Sequence, residues 1–145
     1  MLRGNYPAKV DQKGRLKIPG AFLATLEELG DEFYVTSEDG NFVRIYPMKY
    51  WNEIEERLAR VSSHNRTKQK FLTRTNYFGQ VVTLDRQGRL LVPPILRESA
   101  QMKGEVDVLG YLNYLEVWNH ARFLERLRSS PITPEDEKTL DDLGI

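Results

Sequence analysis

The nine-residue stretch DQKGRLKIP, residues 11–19, returns as DRQGRLLVP at residues 85–93. Five of these nine positions are identical at an offset of 74 residues, and Val92 replaces Ile18 conservatively. A fixed offset between matching segments is the signature of an internal repeat. The later matches at offset 72 indicate a two-residue deletion in the second copy's hairpin. Matches outside the motif are Phe22 with Leu96, Gly30 with Gly104, Ile45 with Val117, Tyr46 with Trp118, and Trp51 with Phe123.

Each copy predicts the order strand, turn, strand, helix, strand, strand, helix. In the first copy, apolar residues alternate from Tyr6 to Val10 and resume at Leu16, which favours two half-buried strands. The turn between them ends on Gly14, a residue that reaches positive φ without strain. Pro19 then ends the second strand and precedes a helix. The other predicted elements are strands 33–36 and 42–46, helices 48–61 and 66–77, strands 80–84 and 89–92, a short helix from about 94, a hairpin at 110–113, a helix through 123–127 and a terminal helix from 134.

The chain is therefore predicted to contain two repeats, at residues 5–50 and 79–122. A helical connector is expected at 51–78, and a C-terminal helix with an acidic tail at 123–145. Each repeat has too few strands to close its own barrel. Two repeats that interleave their hairpins would bury both apolar faces and protect the strand edges. We expect an α+β, mainly β fold with flanking helices.

Composition excludes several classes of protein. The 145 residues contain no cysteine, so disulfides, thiolate metal sites and a cysteine nucleophile are excluded. No apolar run approaches the roughly 20 residues of a membrane span. The first residues lack the apolar core of a signal peptide, and we expect a cytoplasmic protein.

Charge is distributed unevenly, although 21 basic residues balance 21 acidic ones. Residues 1–17 contain five basic side chains and one acidic one, and residues 57–74 contain six basic side chains and no acidic one. The last fifteen residues hold five acidic side chains and one basic one. The 57–74 cluster could bind phosphate, but we interpret it as the solvent face of connecting helices.

No constellation of residues indicates catalysis. His64 and His120 lie far apart, without a companion carboxylate motif of the kind that binds metal. The sequence has neither a nucleophile elbow nor a glycine-rich phosphate loop. We predict no enzyme activity, no catalytic residue, no metal and no cofactor.

Arg15 and Arg89 are the first candidate binding residues, since each follows a glycine turn between two strands. Two interpretations remain open from spacing alone. An arginine on a two-stranded ribbon can bond guanine or clamp phosphate in the major groove. It can also pair with the aspartate four residues earlier, Asp11 or Asp85, and stabilise the turn.

Other basic residues accompany these arginines. Lys13 and Arg86 lie in the turns and are either phosphate contacts or solvated turn residues. Arg3, Lys9 and Lys17 are expected on or beside the first hairpin. Since the first copy has more basic residues than the second, we expect it to be the main DNA reader if DNA is the ligand.

The repeated Asp-x-x-Gly-Arg-Leu-x-Ile/Val-Pro motif resembles the SpoVT/AbrB domain of bacterial DNA-binding regulators. The tandem copies resemble the MraZ family in particular, together with Arg3-Gly4, Ile45-Tyr46-Pro47 with Trp51, and Leu115 to Trp118. The resemblance covers residues 1 to about 128. It implies a swapped-hairpin, double-split β-barrel and a nucleoid-associated transcriptional regulator that binds double-stranded DNA.

By the same resemblance, the protein would bind tandem promoter repeats as a ring-shaped homo-oligomer. It would regulate, usually as a repressor, the division and cell-wall gene cluster that includes its own gene. The alternative is an antitoxin-like protein-interaction module of the same fold. The resemblance favours DNA contact for Arg15. With the residues placed by position and charge, the candidate DNA-binding residues are Arg15, Lys13, Arg3, Lys9, Arg86 and Arg89, with Asp11 and Asp85 as orienting partners and Gly14 and Gly88 as turn residues.

Two apolar helix faces favour assembly. They comprise Trp51, Ile54 and Leu58 in the first copy and Phe123, Leu124 and Leu127 in the second. Faces of this kind need a partner, and head-to-tail contacts between chains close into a ring where the rotation permits. We expect a cyclic homo-oligomer larger than a tetramer.

Overall fold

Eight antiparallel strands form one sheet in the computed structural model, which describes all 145 residues. No helix is long and apolar enough to cross a bilayer. The strands are β1 (Asn5–Val10), β2 (Arg15–Lys17), β3 (Glu32–Thr36), β4 (Val43–Pro47), β5 (Gln80–Thr83), β6 (Arg89–Leu91), β7 (Gly104–Tyr111) and β8 (Tyr114–Asn119). The helices are α1 (Gly20–Glu28), α2 (Met48–Ala59), α3 (Arg66–Tyr77), α4 (Pro94–Ser99), α5 (His120–Ser129) and α6 (Pro134–Asp142).

The two copies exchange strands throughout the sheet. Its strand order is β5-β3-β4-β8-β7-β1-β2-β6, and β5 and β6 also contact each other, so the sheet is a nearly closed barrel. β1 of the first copy pairs with β7 of the second, and β5 of the second pairs with β3 of the first. The predicted mainly β fold of two interleaved repeats is confirmed.

A pseudo-twofold axis relates the copies, and two residue pairs mark it. Leu16 lies directly opposite Leu90, and Arg44 lies directly opposite Glu116. These pairs reproduce the sequence offsets of 74 and 72 residues. The leucines are fully buried, whereas the second pair is an ion pair with 3.5 Å between Arg44 Nε and Glu116 Oε2.

A single core fills the barrel, and a smaller cluster lies outside it. Phe22 and Leu26 of α1 and Leu96 of α4 are buried against the inner faces of the strands. The smaller cluster contains Tyr34, Tyr46 and Trp51, with Phe71 packed against it. Trp51 therefore joins the helices α2 and α3 to the strands β3 and β4.

β1 is half-buried, as the alternation of its apolar residues predicts, and its burial increases along the strand. Tyr6 is 41% exposed and touches Phe22 edge-on, at 5.1 Å between ring centroids. Ala8 packs against the core, and Val10 is 6% exposed. β1 therefore enters the core most deeply at the end that carries the turn.

His120 and Asp107 form a pair that makes stability depend on pH. The buried Asp107 accepts a hydrogen bond from Asn5 Nδ2 at 3.2 Å, and its other oxygen lies 2.6 Å from His120 Nδ1. The hydrogen bond to Asp107 raises the pKa of His120 above its ordinary value. A raised folded-state pKa gives stability that is complete below the unfolded pKa and is lost as pH rises through the folded pKa.

We therefore expect the free energy of unfolding to fall as the pH rises from about 6.5, the ordinary histidine pKa, through the raised pKa of His120 in the folded chain. His120→Gln should remove that part of the pH dependence, and His64→Gln, at an exposed residue whose ring has no hydrogen-bond partner, should retain it. Urea denaturation at a series of pH values measures the difference. Identical pH profiles for wild type and His120→Gln would contradict the assignment.

Candidate nucleic-acid interface

The turn between β1 and β2 is organised by the carboxylate of Asp11. Asp11 Oδ1 accepts the backbone N–H groups of Lys13 and Arg15, both at 2.9 Å. Asp11 Oδ2 accepts the side-chain Nε–H of Arg15, also at 2.9 Å. Gly14 completes the turn at φ +82°, a conformation that other residues adopt only with strain.

The turn between β5 and β6 repeats this arrangement bond for bond. Asp85 Oδ1 accepts from the backbone of Gln87 and Arg89, and Asp85 Oδ2 accepts from Arg89 Nε at 3.0 Å. Gly88 takes φ +73°. Backbone hydrogen bonds, led by that of the arginine four residues later, lower the pKa of both aspartates. Both carboxylates are therefore ionised at neutral pH and hold their arginines by charge.

A short ribbon, β2 paired with β6, joins the two turns. Leu16 and Leu90 point into the core, so their strand neighbours point outward. We call this outward side the basic ribbon: Arg15, Lys17, Arg89 and Leu91. Arg15 lies opposite Leu91, so Arg15 and Arg89 are diagonal neighbours with backbones about 7–8 Å apart.

Each arginine retains donors for a ligand. In the folded chain, the side chains of Arg15 and Arg89 hydrogen-bond only through Nε, to Asp11 and Asp85. A guanidinium has five N–H donors, so both terminal nitrogens stay available for a base edge or a phosphate. Both arginines are partly exposed, at 34% and 26% of their side-chain surface. The structure thus shows the Arg–Asp pairing and is compatible with a ligand contact as well, because the aspartate holds one edge of the guanidinium and leaves the other free.

Because the two copies exchange strands, two cations lie beside the turn of the other copy and not beside the turn of their own. Lys17 of the first copy donates through Nζ to the carbonyl of Gln87, in the second turn. Arg97 of α4 lies directly over Gly14, in the first turn. Each turn therefore has three cations beside it: Lys13, Arg15 and Arg97 at the first, and Arg86, Arg89 and Lys17 at the second. Although the first copy contains more basic residues than the second, the first turn has no more cations beside it than the second turn.

Arg3 and Lys9 lie apart from the basic ribbon. Arg3 precedes β1, and about 17 Å of strand separates Asn5 from Val10 at the turn end. Lys9 lies on β1, two residues before Asp11, and directly opposite Glu105 on β7, which offsets its charge. Both residues lie on or beside the first hairpin, as expected, but Arg3 lies at the end of β1 that is remote from the turn.

Arg97 is a site residue that the sequence analysis missed. It aligns with Leu23 at the 74-residue offset, and Leu23 correspondingly lies over Gly88. The signal was present in the repeat alignment as an apolar-to-basic change on the helix that follows the motif. Its significance depended on knowing that each helix covers the turn of the other copy.

The basic residues 57–74 lie on α2, α3 and their connection, and not on the basic ribbon. Arg57, Arg60, Arg66, Lys70 and Arg74 are exposed, and Lys68 is half-buried. Placing them on a solvent face is correct for this chain. Of the apolar side chains predicted to seek partners, Trp51 is buried within the chain, whereas Leu124 and Leu127 are 40% and 56% exposed.

Comparison with known proteins covers the entire chain. The family described as "MraZ protein, putative antitoxin-like" matches residues 1–74 and 79–143. This match extends through α6, beyond residue 128, where the resemblance in the sequence was expected to end. The chain is 48% identical to the transcriptional regulator MraZ of Acidobacterium capsulatum and 50% identical to that of Koribacter versatilis, over the full length of both partners in each case. It is 38% identical to the transcriptional regulator MraZ of Moorella thermoacetica, over 90% of this chain and 89% of the relative.

Proposed function

Because the chain belongs to the MraZ family, we propose that it is a DNA-binding transcriptional regulator that reads DNA with its basic ribbon. The observation that carries the proposal is the outward pair Arg15 and Arg89, each held by an aspartate through one edge only. A two-stranded ribbon fits the major groove, and arginine bonds the O6 and N7 atoms of guanine bidentately. Relatives named as transcriptional regulators support this function.

The residues divide into base readers and phosphate contacts. Arg15 and Arg89 have the planar geometry for base edges, and Asp11 and Asp85 limit the orientations they adopt. Lys13 and Arg86 at the turn tips, with Lys17 and Arg97 beside the turns, supply phosphate contacts that fix register. Arg3 is more distant and contributes to the long-range field, whereas Glu105 offsets the charge of Lys9.

Assembly compensates for the neutral charge of one chain. We propose a ring larger than a tetramer that presents its basic ribbons on one face, where their fields add. The matching DNA is a set of tandem repeats in the promoter of the division and cell-wall gene cluster that includes the regulator's own gene, where binding represses transcription. Several weak ribbon contacts then act together because each bound repeat raises the effective concentration of the next.

Promoter binding and light scattering test this proposal. The protein should protect evenly spaced repeats upstream of its own gene in a footprint, and its affinity should fall steeply as salt increases. Equal binding to the promoter and to an unrelated fragment of the same length would overturn the specific function. A monodisperse 16.9 kDa species at micromolar concentration would overturn the ring.

Asp11→Asn tests the orienting role of the aspartate. The amide oxygen of asparagine can still accept from Lys13 and Arg15 backbone N–H groups, so the turn should stay folded. Losing the negative charge releases Arg15 and favours phosphate contact, so affinity for unrelated DNA should rise relative to promoter affinity. The ratio of the two affinities, measured at one salt concentration, should decrease. An unfolded Asp11→Asn protein would instead make the aspartate a purely structural residue.

A further inference from the structure

An apolar groove lies between α2 and α3. It encloses about 450 Å³ and contains no segment of the folded chain. Ile54, Leu58 and Val61 contribute one wall, and Phe71 contributes the other. Arg57 and Lys68 line the same groove. The surface combines exposed apolar area with positive charge, which is typical of a docking site.

Both charged residues that line the groove, Arg57 and Lys68, are basic. Residues 57–74 carry six basic side chains and no acidic one, and the acidic residues of α2 (Glu53, Glu55 and Glu56) are not among the lining residues. A segment that docks here must therefore offer apolar side chains together with negative charge. A basic segment would be repelled.

Helix α6 has both properties and has no partner in the folded chain. Residues 131–145 hold five acidic side chains and one basic one. Every side chain of α6 is exposed except the half-buried Leu140, and Leu143 and Ile145 beyond it are 68% and 82% exposed. The segment is negative and apolar at once.

Hydrogen-bonded caps stabilise both ends of α6, although its side chains are exposed apart from the half-buried Leu140. Thr133 and Asp136 form a reciprocal capping box at its start. At its end, Gly144 takes φ +79° and Ile145 N–H bonds the carbonyl of Leu140, which is a Schellman motif. A nine-residue helix is marginal in water without packing, so a helix capped at both ends and left unpacked is prepared for a partner.

We propose that α6 of one copy docks in the α2–α3 groove of the next copy, an inference that rests on the proposed ring and names its connecting contact. Leu140 and the helix-end residue Leu143, three residues apart on one side, enter the groove beside Phe71 and Leu58. Asp141 and Asp142 lie on the two flanks of the helix, where the long side chains of Arg57 and Lys68 reach them at the edges of the groove. The contact joins two different surfaces, so it is heterologous and generates a ring by closure.

Helix α5 is the other candidate occupant, and its charge argues against it. It carries Arg122, Arg126 and Arg128 against the single acid Glu125. Its exposed leucines would reach the groove only by placing these arginines near Arg57 and Lys68. The acidic α6 meets no such opposition.

Two charge-reversal variants test the docking. The groove variant is Arg57→Glu/Lys68→Glu, and the tail variant is Asp141→Lys/Asp142→Lys. The tail change strengthens α6 as a helix, since lysine is favourable in a last turn, so a loss of assembly cannot come from a lost helix. The matched control is Lys49→Glu/Lys70→Glu, at exposed residues of α2 and α3 outside the groove. Light scattering should give rings for wild type and control, and a single-chain mass for each test variant.

A mixture of the two test variants tests directly whether the tail of one chain docks in the groove of another. The intact tail of the groove variant fits the intact groove of the tail variant, and the reversed groove and the reversed tail are again opposite in charge. The mixture should therefore assemble beyond the 16.9 kDa of one chain, as heterodimers or as rings in which the two variants alternate, while each variant alone stays single. A mixture that stays single would overturn the docking in favour of α6 folding back on its own groove or a contact elsewhere.

The remaining outcomes separate this inference from the proposed function. If wild type forms rings and either test variant keeps them, the docking is wrong and the ring stands. If wild type is a single chain, both the docking and the ring fail, and the groove is left to a different protein. DNA binding is read separately, because the single-chain variants should still bind one promoter repeat weakly at low salt.

Discussion

Replacing Arg15 by alanine should leave the fold and assembly intact and reduce specific promoter affinity by roughly 5- to 150-fold for each engaged turn, or about 1–3 kcal/mol. The fold should survive because the Arg15–Asp11 ion pair is solvent-exposed, and such pairs stabilise proteins by at most about 1 kcal/mol. DNA affinity should suffer because the terminal guanidinium nitrogens of Arg15 have no other use in the chain. Where several subunits engage neighbouring repeats, the losses multiply, and retention of the promoter fragment should disappear.

Titration of a labelled promoter fragment, with an unrelated fragment as competitor, measures this loss. Lys49→Ala is the matched control, since it removes one exposed positive charge from α2, away from the basic ribbon. An Arg15→Ala protein that assembles and retards the promoter like wild type would refute the reader assignment.

Arg89→Ala ranks the two turns. Counting basic residues along the sequence favours the first copy, so it predicts a smaller loss for Arg89. The structure gives both turns the same hydrogen bonds and three cations each, so we expect a loss of comparable size. A loss at Arg15 alone would restore the first copy as the main reader.

Trp51→Ala should lower the free energy of unfolding by about 3–5 kcal/mol, the usual cost of deleting a buried aromatic side chain. Trp51 is 3% exposed, stacks on Tyr34 at 4.5 Å and contacts the ring of Tyr46 at 5.0 Å, measured between centroids. Phe71 on α3 lies at 6.2 Å. Since this cluster joins α2 and α3 to the sheet, the same change should also disorder the groove and weaken assembly.

Urea denaturation followed by circular dichroism, at equal protomer concentration, measures the effect. Tyr77→Ala is the control, because Tyr77 is 63% exposed and surface changes of this kind usually stay within about 0.5 kcal/mol. A loss below about 1 kcal/mol for Trp51→Ala would mean that α2 and α3 are held by other contacts.

Local sequence signals predicted the elements well. The alternation around Leu16, the glycine at each turn and the proline before each short helix fix local backbone geometry, and they act within a few residues. The repeat offsets also predicted the symmetry, since Leu16 and Leu90, 74 residues apart, meet on the axis. These features needed no knowledge of distant contacts.

The composition of the site could not be read from the sequence in the same way. Lys17 belongs to the second turn and Arg97 to the first, because strands and helices of one copy cover the turn of the other. Arg3 was assigned to the site by nearness in sequence, although β1 carries it to the far end of the barrel. Long-range strand pairing decides such placements, and no local pattern encodes it.

The ion pair between Arg44 and Glu116 affects which copies can pair with each other across the sheet. In a perfect duplicate, the residues on the axis would be identical, and two first copies could mate as well as a first and a second. Here two first copies would bring Arg44 against Arg44, and two second copies Glu116 against Glu116, and like charges directly opposite each other on paired strands are destabilising. Because the two copies differ at this position, a first copy and a second copy are complementary in charge, and two like copies are not. The ion pair therefore favours pairing of each first copy with a second copy.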